Sequence, residues 1–140
     1  MVFTGLGRNE NGNTFIPDPT EAIKQILPDI NREFGKTLSS KDLIGHLSQK
    51  LPVLDKGVYR VEVEKKISRG ENPAWRKPEQ SQVSTSLSFA LVRLMKLKLI
   101  DAKNDSDAGD KVTLTGRDCH AWAIDSPKLP QGICSHFTIL

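Results

Sequence analysis

The segment 83–98 carries apolar side chains at spacings that an α-helix gathers on one side. The apolar positions are Val83, Leu87, Ala90, Leu91, Leu94 and Leu97. Their intervals of 4, 3, 1, 3 and 3 residues place them within one broad sector of a helix. The period then changes. The sequence predicts a short strand over 99–102 and a turn rich in Asp and Gly over 104–110. It predicts a returning strand over 111–115, where apolar and polar residues alternate. The sequence therefore predicts a long helix followed by a β-hairpin.

Two shorter amphipathic helices are predicted upstream of this unit. The first begins at Asp18, a residue type that suits an N-cap, and ends at Gly35. Its apolar stripe keeps its phase across Pro28, which interrupts the backbone hydrogen bonds, so we expect a kinked helix or two abutting ones. The second helix has Ser39 as its cap and stops at Pro52.

The segment 56–68 fits both a strand and a helix. Val58, Tyr59 and Val63 favour a strand by side-chain type. Tyr59, Val63 and Ile67 also share one face of a helix, and we predict a helix on that ground.

The chain has 140 residues, the size of one small domain with tails. We expect an arm with little regular structure over 1–17, a folded domain over 18–125 and a C-terminal tail over 126–140. Hydrophobic residues make up 37% of the chain, enough for a buried core. No apolar run approaches the roughly 20 residues of a membrane-spanning helix. No secretory signal is visible and the two cysteines are too few for a disulfide scaffold, so we expect a cytoplasmic protein.

The order of the predicted elements resembles that of winged helix-turn-helix proteins. The likeness rests on two leucines three residues apart and a Leu-Ile pair within 90–100, followed by the Thr-rich strand 112–115. It covers about residues 39–124. The resemblance implies a mainly α fold with a small β-hairpin, of the α+β class, and a function in DNA binding.

A winged-helix protein inserts one helix into the major groove, which is about 12 Å wide and admits a single helix. In this arrangement, helix 83–98 and the residue before it would contact base edges and phosphates. The side chains concerned are Gln82, Ser84, Thr85, Ser88, Arg93 and Lys96. A basic segment before the helix would bind further phosphates, and the tryptophan within it would stack on a base or sugar. Its residues are Lys65, Lys66, Arg69, Trp75, Arg76 and Lys77. The alternative interpretation of this segment is a solvated charged face. The net charge of +3 is compatible with either.

These features predict a module that binds double-stranded DNA, as a transcriptional regulator or as the DNA-reading part of a mobile-element or defence system. The presumed wing, however, carries four carboxylates, Asp101, Asp105, Asp107 and Asp110. Because they would repel a phosphate backbone, an alternative is a protein–protein adaptor that uses a face formed by Phe89 and Val92. Single-stranded DNA or RNA binding through the basic segment is a third hypothesis. A homodimer is a further candidate assembly.

The sequence contains no nucleophile elbow, metal-binding histidine pair or phosphate-loop motif, so we predict neither an enzyme nor a cofactor. Four soft ligands lie in its last quarter: Cys119, His120, Cys134 and His136. Two Cys and two His would suffice for a zinc ion, but this spacing does not fit structural zinc sites, and we predict no metal. The alternative interpretation is two buried thiols and two ordinary histidines.

Overall fold

The computed structural model describes residues 7–10, 14–69, 79, 81–115 and 132–140, with side chains described from residue 18 to 67 and in the later ranges. The described chain has an α+β fold of four helices and small antiparallel sheets. In chain order the elements are β1 (Gly7–Glu10), β2 (Thr14–Pro17), α1 (Thr20–Phe34), β3 (Thr37–Ser39), α2 (Ser40–Lys50), α3 (Val58–Arg69), α4 (Thr85–Lys96), β4 (Ile100–Lys103), β5 (Val112–Thr113), β6 (Ile133–Cys134) and β7 (His136–Ile139).

The main sheet has three strands in the order β3-β7-β4, and both pairings are antiparallel. Phe137 of β7 lies opposite Leu38 on one side and Ala102 on the other. All three side chains are buried. Along β7 the buried residues Phe137 and Ile139 alternate with half-buried ones, which is the pattern of a strand with one face on the core.

Helices α1, α2 and α4 share one core with this sheet. α1 contributes Ile23, Leu27 and Ile30, and α4 contributes a matching row of leucines. The strand between the first two helices, β3, and the strand that follows α4, β4, lie in one sheet, where each pairs with β7; this layout is consistent with a winged-helix-like one. None of the helices in the described ranges combines the length and the hydropathy that a bilayer crossing requires.

The predicted helix boundaries are largely confirmed. The Ser39 hydroxyl caps α2 by accepting the backbone N–H of Asp42 at 3.1 Å. The Asp18 carboxylate accepts the N–H of Thr20 at 3.1 Å, at the start of α1. α1 runs through Pro28 as a single helix. The ambiguous segment 56–68 forms the helix α3.

The predicted hairpin between 99–102 and 111–115 needs correction. Both segments contain strands, but β4 pairs with β7, and β5 pairs with β6. The physical reason is the alternating apolar sequence at the C-terminal end, which inserts between β3 and β4 and takes the hydrogen bonds that a direct hairpin would have used.

The expectation of a C-terminal tail over 126–140 therefore needs correction in its last part, where β6 and β7 lie. The predicted arm over 1–17 also contains regular structure, since β1 and β2 pair antiparallel from Gly7↔Pro17 to Glu10↔Thr14. Residues 116–131 lie outside the described residues.

Replacing the central aromatic side chain tests the role of β7. Phe137→Ala should lower the free energy of unfolding by about 3–5 kcal/mol, because it opens a cavity between β3 and β4. The matched control is Leu140→Ala, in an exposed residue directly after that strand, which should change the free energy of unfolding by less than about 0.5 kcal/mol. Urea denaturation followed by circular dichroism measures both. Equal effects of the two substitutions would contradict the central position of β7.

Candidate nucleic-acid interface

Helix α4 is fixed by the burial of one face and by a cap at its start. Leu87, Ala90, Leu91 and Leu94 are fully buried. The Ser84 hydroxyl accepts the backbone N–H of Leu87 at 3.3 Å, which makes Ser84 the N-cap. The serine that the sequence offers to a base is therefore already engaged in starting the helix.

The exposed side of α4 is polar at its beginning and basic at its end. Gln82, three residues before α4, and Thr85, its first residue, are exposed, and Lys96 is exposed in the last turn. Between Gln82 and Leu99 the sequence has no Asp or Glu. This strip, defined here as the α4 strip (Gln82, Thr85 and Lys96), thus carries positive charge without a compensating carboxylate on the same helix.

Asp55 holds the N-terminal end of α4 in place. Its Oδ2 atom accepts the backbone N–H of Ser84 at 2.6 Å. Its Oδ1 atom lies 3.7 Å from a guanidinium nitrogen of Arg60, whose Nε donates to Glu64 at 3.0 Å. This network links α3 to the first residues of α4. Sequence reasoning missed Asp55, because no pattern connects a loop carboxylate to a helix start 29 residues later.

Ser88 does not belong to the exposed side, and its predicted base contact needs correction. The side chain is fully buried. Its hydroxyl accepts the backbone N–H of Thr115 at 3.0 Å and lies 3.3 Å from the carbonyl oxygen of Val83, to which it donates. Ser88 lies one turn after Thr85 on the same flank of the helix, so its burial comes from the chain segment around Thr115 that covers it and not from the helical phase. Ser88 thus fastens α4 to the strand region around β5.

Arg93 is held by the fold. Its guanidinium donates to the Asp18 carboxylate, which is 6% exposed, and it lies 5.9 Å from the centre of the Phe89 ring. Arg93 thus joins the start of α1 to the last turns of α4. A phosphate contact by Arg93 would require it to leave a nearly buried carboxylate, which opposes the predicted role.

The predicted Phe89/Val92 face also needs correction. Val92 is only 3% exposed and belongs to the core, whereas Phe89 is half-buried under Arg93. Leu97 departs from the prediction in the opposite direction: the apolar spacing predicts that it is buried, but its side chain is 54% exposed. Leu97 falls outside the helix because α4 ends at Lys96 and the chain turns at Lys98, where φ is +59°.

The basic segment is only partly within the described residues. Lys65 and Lys66 are exposed on α3. Arg69 ends that helix, and its side chain lies outside the described residues. Trp75, Arg76 and Lys77 also lie outside them.

The acidic turn, residues 104–110, borders a cleft of about 370 Å³. The cleft is lined by Ser39, Asp105, Asp107, Ala108, Gly109, Asp110, Ser135 and His136. Lys41 pairs with Asp110 at 2.9 Å. The buried Ser135 hydroxyl is engaged with the chain around it, since it accepts the N–H of Asp105 at 2.8 Å and lies 2.9 Å from Nδ1 of His136. These contacts order the turn.

The predicted soft ligands are divided between described and undescribed residues. Cys134 is buried in β6, and this burial raises the pKa of the thiol to about 12, with a hydrogen bond to Ser40 as the lesser, opposing cause. Such a thiol stays protonated and unreactive near neutral pH. Cys119 and His120 lie outside the described residues. Within the described ranges, no three His, Cys, Asp or Glu side chains come together as metal ligands.

Comparison with protein families places these features in a known group. The chain matches the DpdG-like family over residues 1–108, which is most of its length. It belongs to the DpdG-like family. The matched span includes α1 to α4 with β3 and β4 of this DpdG-like chain, and it ends within the acidic turn, before β7. No curated protein and no solved structure is significantly similar to the chain.

Removing the buried hydroxyl of Ser88 tests its structural role. Ser88→Ala should lower the free energy of unfolding by about 1–3 kcal/mol, because the N–H of Thr115 loses its acceptor. The control is Ser86→Ala on the same helix, where the hydroxyl is half-buried and lies 3.3 Å from the Ser84 hydroxyl. Thermal or urea unfolding measures both. A loss of stability in the control alone would contradict this assignment.

Proposed function

We propose that the protein is a double-stranded DNA-binding module that presents the α4 strip to the major groove. The observation that carries the proposal is the chemistry of the exposed positions around α4, which are Gln82 just before the helix, Thr85 at its start and Lys96 in its last turn, with no Asp or Glu between Gln82 and Leu99. Ser88 and Val92, between Thr85 and Lys96, are buried, so the two ends of the helix are what it offers to a groove that admits one helix.

The residues of the α4 strip suit different parts of a DNA duplex. Thr85 begins α4 and Gln82 lies just before it, near the end at which a recognition helix contacts base edges. Glutamine pairs with adenine through two hydrogen bonds, and to do so Gln82 would release the Glu79 N–H that its Oε1 accepts at 3.4 Å. Lys96 lies about 16 Å farther along the helix axis, at a rise of about 1.5 Å per residue, and suits a backbone phosphate. The Asp55 network holds the base-reading end in a fixed place.

Phosphate contacts outside α4 would come from α3 and the segment after it. Lys66 is exposed on α3, and the sequence adds Arg76 and Lys77 after that helix. The acidic turn is unsuited to phosphates, because Asp105 and Asp107 would repel them. The proposed binding mode therefore uses the side of α4 and α3 and keeps the acidic turn away from the duplex, unlike a basic wing.

The DpdG-like family is associated with DNA modification and defence. This context supports a DNA-reading part of a defence or mobile-element system over a transcriptional regulator. The role would be to deliver partner activities to DNA, with no chemistry assigned to this chain.

Binding to a random duplex tests the proposal. The wild-type protein should bind a fluorescein-labelled duplex in anisotropy titrations, with an affinity that falls steeply as salt rises. In the double variant Lys66→Ala/Lys96→Ala, the slope of log K against log salt concentration should be less steep by about 2. Its Kd should rise on the order of tenfold or more near 0.1 M salt. Lys36→Ala, in an exposed lysine between α1 and β3, should leave both unchanged. Absence of binding at low salt, or a double variant that binds like wild type, would contradict the proposal.

Sequence preference provides a separate test of the base-reading end. Selection from a randomised duplex pool should give a preferred site, and Gln82→Ala should reduce the preference by about 1–3 kcal/mol at one position of it. Affinity for the random duplex should change little. Ser86→Ala, in the first turn of α4, provides the control. If the Gln82→Ala protein selects the same site with the same preference, Gln82 does not contact a base.

A further inference from the structure

The carboxylate of Asp55 lies nearly buried beside the start of α4, and its two oxygens differ in their contacts. The side chain is 11% exposed. Oδ2 accepts the backbone N–H of Ser84. Oδ1 is buried and receives no hydrogen bond within the described part of the chain, since the guanidinium nitrogen of Arg60 lies 3.7 Å away. A buried carboxylate oxygen without a donor costs stability, so a role outside the fold would explain why it is kept.

The bond to Ser84 does not require a charge, because the side-chain oxygen of an asparagine would accept the same N–H. Arg60 does not neutralise Asp55 fully either. Its Nε donates to Glu64 at 3.0 Å, so one guanidinium is shared between two carboxylates. The side chains of Asp55, Arg60 and Glu64 together therefore keep one net negative charge at the start of α4.

We propose that Asp55 is a specificity-determining residue of the DNA interface, whose charge keeps phosphates away from the start of α4 and leaves that end to bases. This inference rests on the proposed function. Thr85 follows Ser84 directly, so a group that contacts Thr85 lies within about 10 Å of the carboxylate, which is about one Debye length at 0.1 M salt. Salt screens a nearly buried charge less than an exposed one. A phosphate at that position is therefore repelled, whereas the uncharged edge of a base is not.

The repulsion acts on the difference between preferred and random sequences. On a preferred site, Gln82 and Thr85 contact bases, and the phosphates lie at Lys96 and Lys66. On other sequences the base contacts are lost, and a shift of the duplex would bring phosphates to the start of α4 instead. The charge of Asp55 weakens that alternative. A repulsive element of this kind raises specificity without adding an attractive contact.

Asp55→Asn tests the proposal, because it removes the charge and keeps an acceptor for the N–H of Ser84. Fluorescence anisotropy at about 0.1 M salt would measure the Kd for a random duplex and for the site obtained by selection. The random-duplex Kd should fall by about threefold to tenfold, and the Kd for the selected site should change by less than about twofold. A residue that only holds α4 in place would give weaker binding or no change. Asp107→Asn, which alters the net charge equally on the exposed acidic turn, should change both values by less than about twofold.

Glu64→Gln provides a second variant that leaves the bond between Asp55 and Ser84 in place. With Glu64 neutral, the charge of Arg60 balances that of Asp55, so the random duplex should again bind more tightly. Circular dichroism should show the helix content and melting temperature of the folded wild type for each variant used, and Glu64→Gln decides if Asp55→Asn does not fold.

The outcomes separate this inference from the proposed function. If the wild type binds duplex DNA but neither variant binds the random duplex more tightly, Asp55 does not determine specificity, although the proposed function stands. An equal gain in Asp107→Asn would have the same consequence, because net charge alone would then explain the gain. A wild-type protein that binds no duplex at low salt would overturn both.

Discussion

The insertion of β7 between β3 and β4 is the constraint on which the rest of the fold depends. Without it, the strand after α1 and the strand after α4 would be two short segments with unpaired backbone groups. The residues just before β7 tie in both sides. Ser40, at the start of α2, donates its backbone N–H to the carbonyl oxygen of Ser135 at 2.8 Å. Ser135 in turn donates its own N–H to the carbonyl oxygen of Lys103 at 2.8 Å. One strand thus fixes α2 relative to β4.

The placement of α4 follows from this arrangement. Its leucines pack on α1 inside the core that β7 closes, and its first residues are held by hydrogen bonds from two other segments. Val83 donates its N–H to Thr113 at 3.0 Å and accepts the Thr115 hydroxyl at 2.7 Å, while Asp55 accepts the N–H of Ser84. These contacts keep the exposed end of α4 rigid, which is what a base-reading helix needs. The same contacts use the polar groups of Ser84 and Ser88 for structure rather than for recognition.

The sequence predicted the parts of the fold that local chemistry determines. The cap at Ser39, the helix start near Asp18 and the leucine row of α4 all rest on neighbours a few residues apart, and the structure agrees with them. Strand pairing depends on partners that are distant in the chain, which local patterns do not reveal. The sequence therefore predicts that β4 pairs with β5, its neighbour in the chain, and it does not predict β7. The position of Leu97 failed because a periodic pattern does not mark the residue at which a helix ends.

The candidate interface was harder to predict for a related reason. Composition and spacing identified Gln82, Thr85 and Lys96, which are exposed. They could not separate Ser88 from Thr85, because a hydroxyl suits both a base contact and a buried hydrogen bond. They could not assign Arg93 either, since its partner Asp18 lies 75 residues away in the chain. Burial and partner, rather than residue type, distinguish a binding residue from a structural one.

Nuclear magnetic resonance mapping tests the central claim that α4 meets DNA most directly. The ¹⁵N-labelled protein would be titrated with an unlabelled duplex at low salt, and each backbone amide shift would be followed. The account predicts that the largest changes fall on Gln82, Thr85 and the last turn of α4, while Ala108 and Gly109 of the acidic turn change little. Shifts concentrated in the acidic turn, or no shifts at saturating duplex, would contradict it.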